Sequence, residues 1–406
     1  MSDSAWITVV GLGEEGLDGL SPTIRGLIET AQVLVGGDRH HEKVPEFTGE
    51  RLTWEAGFGA ALDEVENHRG KRIVVLASGD PMNFGVGSTL ARRFGAKALT
   101  VYPVPGAYSL AAARMGWSIP DCRLVTIHGR PLEVLNLYLS PGARLLVLSR
   151  DGGSPAAAAA LLSAQGYGPS KITVLEHLGG PGENRIEGVA SHWRQGPAAD
   201  LNTLAIDCRI DDGTTPLSRT PGLPDEAFEH DGQLTKRDIR AATLAALQPL
   251  PGQTLWDVGG GSGSVAIEWL RLGNNRRAVA FERDPDRAAR IARNAANLGT
   301  PGLKIIDGAF PGSMPGSMAD GDPDAIFIGG GVSEPGVMDA AWGALKAGGR
   351  LVANGVTLEA EQTLLKFHHD HGGELARIGI ERAAPLGGKT VFRPMLRVTR
   401  YSGIKS

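Results

Sequence analysis

Leu255-Trp-Asp-Val-Gly-Gly-Gly-Ser-Gly-Ser-Val-Ala-Ile-Glu268 reads as a buried strand, a glycine-rich turn and the opening of an amphipathic helix in immediate succession. With no Cβ at Gly259, Gly260, Gly261 and Gly263, a ligand can approach the backbone, and the N–H groups at the helix start face any carboxylate placed there. A purely structural βα turn carries the same glycines, so the neighbours decide. Asp257 stands two residues before the first glycine, and Glu282 closes the next aliphatic run. A carboxylate at the end of that second strand can hold both ribose hydroxyls. Asp307-Gly308-Ala309 follows the third run, positioned to face an adenine ring.

The spacing Asp-x-Gly-x-Gly-x-Gly shortens the last step of the dinucleotide pattern Gly-x-Gly-x-x-Gly. It favours S-adenosylmethionine (SAM) as the ligand, with NAD as second choice. The expected contacts are Asp257, Gly259, Gly260, Gly261, Ser262, Gly263, Glu282, Asp307, Gly308 and Ala309. After the fourth strand, Ile328-Gly-Gly-Gly-Val-Ser333 offers no side chain suited to grip an amine. A carbon that brings its own nucleophilicity fits better, because transfer to it needs mainly alignment and exclusion of water.

Outward from the turn, helix-like and strand-like stretches alternate: helix 236–247, strand 254–258, helix 265–271, strand 278–282, helix 286–298, strands 303–306 and 325–328, helix 337–345, strand 350–353, helix 358–371 and two late strands. That alternation predicts one doubly wound sheet. The earlier half alternates in the same way, with strands near 6–10, 33–35, 73–76 and 99–102, then 145–148, 172–175 and 202–207. It predicts a largely parallel α/β unit of two lobes, about 1–112 and 113–208. Ser21 is the expected N-cap of a helix with Pro22 at its first position. Residues 209–225 are polar, proline-rich and aperiodic, so they are expected to link 1–208 to a second domain, 226–406. A length of 406 residues predicts two or three domains.

Composition narrows the function classes. A net charge of -4 supplies no broad basic field, which disfavours a nucleic-acid substrate. Cys122 and Cys208 stand alone, so neither a metal site nor a disulfide framework is expected, and the setting is a reducing cytoplasm. Met1–Ala5 lacks the character of a signal peptide, and no apolar run approaches the roughly 20 residues of a membrane helix.

The order Gly11-Leu-Gly13, Ser78-Gly-Asp-Pro81, Pro105-Gly-Ala-Tyr-Ser109 and His128-Gly-Arg130 resembles the tetrapyrrole (corrin/porphyrin) methylase family over about residues 5–207. The resemblance implies SAM folded between two α/β lobes. Its contacts would be Gly79, Asp80, Pro81, Gly106, Ala107 and Ser109, with Leu148 and Leu178–Gly180 from the second lobe. Where the family's first loop commonly reads Gly-x-Gly-Pro-Gly, this chain has Gly11-Leu-Gly-Glu-Glu-Gly16. That loop tends to face the macrocycle in the family, so Glu14 and Glu15 become candidates for acid or base, as does His128. Arg130 is the candidate for orienting a carboxylate-rimmed substrate.

Asp231-Gly-Gln-Leu-Thr-Lys-Arg-Asp-Ile-Arg240, the glycine turn and Asn354-Gly-Val-Thr-Leu-Glu359 resemble the precorrin C-15-methylating, decarboxylating family. In that pattern the threonine, here Thr235, touches SAM. Arg237, Asn354, Lys389 and Arg393 are candidates for gripping carboxylates, and His230 and Glu334 for carrying protons, from position and charge alone. The two resemblances together imply a two-lobed tetrapyrrole methylase fold joined to a Rossmann-like SAM methyltransferase fold, with one SAM in each. The implied chemistry, that of aerobic cobalamin synthesis, is C-methylation of a reduced tetrapyrrole (precorrin) at C-5 and C-15 with loss of CO2 from the C-12 acetate. No nucleic acid or membrane partner is expected, and a homo-oligomer is. Two rivals share the fold: an RNA or protein methyltransferase with an accessory α/β domain, and a SAM-sensing protein without turnover.

Overall fold

The computed structural model describes residues 5–54, 57–273, 275–314 and 321–406; of the segment Met1–Ala5, the first four residues lie outside them. The chain divides into two compact units, 1–132 with 139–214, and 133–138 with 215–406.

The first unit holds two sheets. In the first lobe, strands Glu50–Leu52, Val33–Val35, Ile73–Ser78, Ile7–Leu12 and Leu99–Tyr102 lie in that order, all parallel. Its three central strands are mainly apolar on both sides, as a sheet covered on both faces requires. Ile7, Val9, Ile73 and Val75 pack on one face, and Val10, Leu12, Val74 and Leu76 on the other. Ser21 caps helix Pro22–Glu29, accepting the Ile24 N–H, as expected.

The second lobe departs from expectation, because its sheet is mixed. The order is Cys122–Thr126, Arg144–Leu148, Asn202–Asp207, Lys171–Glu176 and Asn184–Val189, and only the first two strands pair in parallel. Helix-length crossovers are absent between Lys171–Glu176 and Asn184–Val189, so a short turn joins them, and short turns make antiparallel pairs.

The second unit carries the doubly wound sheet: Lys304–Asp307, Arg277–Glu282, Thr254–Val258, Ala325–Ile328 and Arg350–Gly355 in parallel, then Val398–Ile404 and Glu374–Ile378 antiparallel. Alternate residues of the strand behind the glycine turn go to opposite faces. Leu255 packs with Val265, Trp269 and Ile291, and Trp256 with Phe281, Phe310 and Ile328. The two late strands expected are four among the described residues. The additional pair, Glu381–Leu386 and Lys389–Pro394, is an exposed hairpin turned by Gly387-Gly388, both at positive φ.

The stretch 209–225 carries no strand or α-helix; residues 209–214 belong to the first unit, and 215–225 are held to the second. Leu223 is 2% exposed in that core, and Arg219 Nε donates to the Arg271 carbonyl at 2.7 Å.

Candidate functional site

Strand Thr254–Val258 delivers the chain to Gly259, Gly261 and Gly263, at φ of +73°, +59° and +75°, and helix Ser264–Arg271 starts at once. These backbone angles need glycine. A Cβ on Gly259 would meet the Gly330 Cα at 3.0 Å, and one on Gly263 the Ile291 Cγ2 at 2.7 Å. Gly330 belongs to the glycine run after the fourth strand, so that run is small because two backbones pass there.

Asp257 is buried, and its Oδ2 accepts the Ala266 N–H at 3.1 Å, tying the strand end to the first turn of the helix. Burial pushes its carboxyl up to about 7, with the Glu282 charge adding. Glu282 ends the second strand, beside Asp307 in register. Its Oε2 accepts the Gly261 N–H at 2.7 Å and its Oε1 the Asp284 N–H at 3.0 Å. Each oxygen keeps lone-pair capacity for ribose hydroxyls while fixing the turn. Ser262 Oγ is buried without a hydrogen-bond partner among the described residues. Asp307 is exposed, and Gly308 follows at φ +128° with Ala309 leading into buried Phe310. The turn, its orphaned hydroxyl and its acidic neighbours therefore suit a zwitterionic nucleoside such as SAM.

A second layer holds the segment before the first helix against this turn. The Gln233 carbonyl lies 3.2 Å from where a Gly261 Cβ would stand, and half-buried Thr235 follows two residues on. Arg240, with no exposed side-chain surface, donates through Nε to Glu268 at 2.6 Å and through Nη1 to the Thr235 carbonyl at 2.5 Å. It also reaches Asp225 and the Leu223 carbonyl, and sits over the Phe228 ring. Asn294 accepts the Glu229 N–H and donates to the carbonyls of Glu229 and Ser262. Asp231 takes Arg287 at 2.9 Å and Arg290 at 3.1 Å, and Arg287 above all holds its carboxyl well below the usual range. Sequence reasoning missed Arg240, Glu268 and Asn294. The signal was there: Glu268 interrupts the apolar run Val265–Leu270, where a lone charge needs a buried partner.

Among the expected substrate and proton-handling residues, Arg237 is exposed, and so are Glu334 and His230. His230 Nδ1 accepts the Gly232 N–H, so the ring shapes a turn. Asn354 Nδ2 donates to Thr243 Oγ1 at 2.9 Å, and its buried Oδ1 has no hydrogen-bond partner among the described residues. Lys389 and Arg393 stand on the exposed hairpin, where Arg393 donates to the Pro385 carbonyl.

In the first unit, three of the expected loops converge at strand ends. A Cβ on Gly11 would meet the Gly79 carbonyl at 2.0 Å, and one on Gly79 would meet the Gly106 Cα at 2.8 Å. Asp80 Oδ1 accepts the Met82 N–H, and Pro81 is buried. Gly106 caps helix Ala107–Met115, with Ser109 exposed in its first turn and Tyr108 donating to the Val125 carbonyl of the second lobe. Leu148, half-buried, ends its strand, and Gly180 packs against Glu14. Glu14 pairs with Lys43 and lies 3.5 Å from His177 Nδ1. Burial works to raise its carboxyl, but Lys43, with Arg39 and His177, holds it below its ordinary value. Glu15 and His128 are exposed, and Arg130 lies 5.4 Å over the Phe84 ring.

A doubly wound sheet whose glycine cradle is braced by the glutamate ending its second strand defines a Rossmann-like, SAM-dependent methyltransferase. Residues 7–192 match the family described as Tetrapyrrole (Corrin/Porphyrin) Methylases, and 226–405 the Precorrin methyltransferase domain. A Sinorhizobium relative, "Precorrin-6Y C(5,15)-methyltransferase [decarboxylating]", is 48% identical over 99% of this chain and 97% of its own. The chain belongs to the precorrin-6Y C(5,15)-methyltransferase (decarboxylating) family. Two shorter relatives share parts of it. "Cobalt-precorrin-7 C(5)-methyltransferase" of Salmonella typhimurium is 34% identical over 46% of this chain and 89% of its own. "Probable cobalt-precorrin-6B C(15)-methyltransferase (decarboxylating)" of Pyrobaculum aerophilum is 34% identical over 43% and 92%.

Proposed function

We propose that this chain methylates a precorrin-6Y-type macrocycle at C-5 and C-15 and removes CO2 from its C-12 acetate, giving precorrin-8 in cobalamin synthesis. The observation that carries this reading is the end-to-end match to a relative of that name. The C-5 step is assigned to the first unit and the C-15 step with decarboxylation to the second, each with its own SAM site. In support, each of the two activities occurs alone in a relative aligned to less than half of this chain.

Bound SAM supplies an electrophilic methyl group and departs as S-adenosylhomocysteine. The chain's part is placement. In the second unit, Glu282 and the Gly259–Gly263 turn fix the nucleoside while Ser262 and the helix start offer donors to its carboxylate. In the first, the Gly11, Gly79 and Gly106 loops form a backbone-lined floor. Decarboxylation breaks the bond between the acetate carbons. The electron pair enters the conjugated macrocycle and a proton replaces the lost carboxyl, so no further oxidant or reductant is required. His230 and Glu334 in the second unit, and His128 and Glu15 in the first, are exposed groups able to carry protons. Arg130, Arg237, Lys389 and Arg393 are the cations proposed to meet substrate carboxylates. The partner is thus a small molecule; a net charge of -4 supplies no broad basic field for RNA, and the RNA-methylating rival is not favoured.

A cytoplasmic setting agrees with two free, buried cysteines, and no helix among the described residues is long and apolar enough to cross a membrane. Homo-oligomeric assembly agrees with the exposed Leu386, Phe392 and Leu396 on and beside the hairpin. Mass spectrometry after incubation with SAM and the macrocycle tests the function. The expected product has gained two methyl groups and lost one CO2; an unchanged macrocycle with SAM bound refutes the proposal in favour of a sensor.

A further inference from the structure

One side chain of the Ala77-Ser-Gly-Asp-Pro81 loop has a role that SAM binding by the loop backbone leaves open. Ser78 ends strand Ile73–Ser78, next to Gly79, and is exposed. Its Oγ accepts from Arg39 Nη2 at 2.8 Å and lies 2.9 Å from His40 Nε2. The other nitrogen of that ring, Nδ1, accepts the Gly37 N–H at 3.3 Å. Burial, with the charges of Arg39 and Lys43, pushes the His40 ring down to about 4, so it is neutral at pH 7. A neutral ring that accepts at Nδ1 carries its proton on Nε2 and donates it to Ser78. Both lone pairs of the hydroxyl are then occupied, and its own proton is left to point outward as a donor.

The charges around it are unequal. Lys43 is matched by Glu14 and by the Gly13 carbonyl, to which it donates at 2.9 Å. Arg39, among the described residues, has a neutral hydroxyl as its hydrogen-bond partner and no carboxylate in ion-pair range. A cation and an outward hydroxyl 2.8 Å apart match the two oxygens of one carboxylate.

We infer that Arg39 and Ser78, with His40 orienting the hydroxyl, form a seat for a ligand carboxylate beside the Gly79 loop. The inference rests on the proposed function, which supplies two sources of that chemistry, an acetate or propionate of the macrocycle and the methionyl carboxylate of SAM. Arg39 and Ser78 are binding residues, and His40 is a positioning residue.

Arg39→Ala and Ser78→Ala in the full chain test this, with Arg39→Lys as the conservative variant. Product masses follow the C-5 methylation, and the first unit's own thermal transition in calorimetry of the full chain reports whether that unit is folded. The expected result is a KM for the macrocycle raised about tenfold or more by Arg39→Ala, with kcat little changed and partial recovery in Arg39→Lys. A raised KM for SAM instead assigns the same seat to the methionyl carboxylate. If neither KM moves, or kcat alone falls, the seat is refuted. Fluorescence titration with uroporphyrin, a polycarboxylate, needs no turnover and keeps this test separate from that of the function. Weaker binding by both alanine variants, or a lower SAM affinity by calorimetry, supports the seat even where the wild type fails to decarboxylate. Binding of both ligands equal to wild type overturns it.

Discussion

Replacing Arg240 by Met removes the group that joins four parts of the second unit. Its guanidinium reaches Glu268 on the helix after the glycine turn, Asp225, and the carbonyls of Leu223 and Thr235. Glu268 is 2% exposed and would be left as a buried carboxylate without its cation. Breaking a buried pair by deleting one partner costs about 3–5 kcal/mol. The lower end applies here, because Glu268 still accepts from the N–H groups of Gly222 at 2.7 Å and Leu223 at 2.9 Å. For a unit of this size 1 kcal/mol moves Tm by about 2–4 °C, so a loss of about 3 kcal/mol lowers it by about 6–12 °C. Calorimetry on the full chain measures it, since the second unit should give its own transition. Arg240→Met with Glu268→Leu should regain much of the loss, because well-packed apolar pairs replace buried ion pairs at little cost. SAM affinity should fall about tenfold in the single variant, as the segment 233–235, which packs beside Gly261 and is tied to Arg240 through the Thr235 carbonyl, loosens. A Tm shift under about 2 °C would refute the reasoning, since a fully buried charge would then have been abandoned without consequence.

Gly263→Ala forces a Cβ onto Ile291 at a backbone angle that L-residues resist, so SAM binding to the second unit should weaken at least about tenfold in calorimetry; wild-type affinity would show the turn is not the cradle. Glu282→Ala unpairs the Gly261 N–H as well as removing the ribose contact, and is expected to cost more SAM affinity than Glu282→Gln, which keeps an acceptor. For Asp257 the folded value, about 7, lies above the ordinary 3.8, so its contribution to stability is fully present at acid pH, declines as pH rises between these values and is lost above about 7. Asp257→Asn keeps an acceptor for Ala266; its stability relative to wild type, read from urea unfolding at several pH values, should rise between pH about 4 and 7 and then level off, and a flat difference would contradict the burial argument.

Much of the doubly wound unit was legible because its signals are local. The glycine turn, Glu282 and the strand Thr254–Val258 are each fixed by neighbours within a few residues, and backbone geometry alone demands glycine at positions 259, 261 and 263. The hairpin was missed because its burial does not alternate. Gly387-Gly388 carried its turn signal, but Ala383, Ala384 and Pro385 in one arm offer no strand period. The candidate cations were the least legible, because a charged side chain looks the same in sequence whether it faces water, a neighbour or a ligand. Arg240 is wholly consumed by the fold, while Asn354 is half consumed by Thr243. Arg39 shows the converse: it lies in a short helix with no motif around it, and only the strand end at Ser78, 39 residues away in sequence, makes it a candidate. What separates structural from functional charge here is partner accounting. A buried guanidinium with all three nitrogens hydrogen-bonded cannot move toward a substrate without unfolding its surroundings. One whose hydrogen-bond partner is a neutral hydroxyl still has charge to offer.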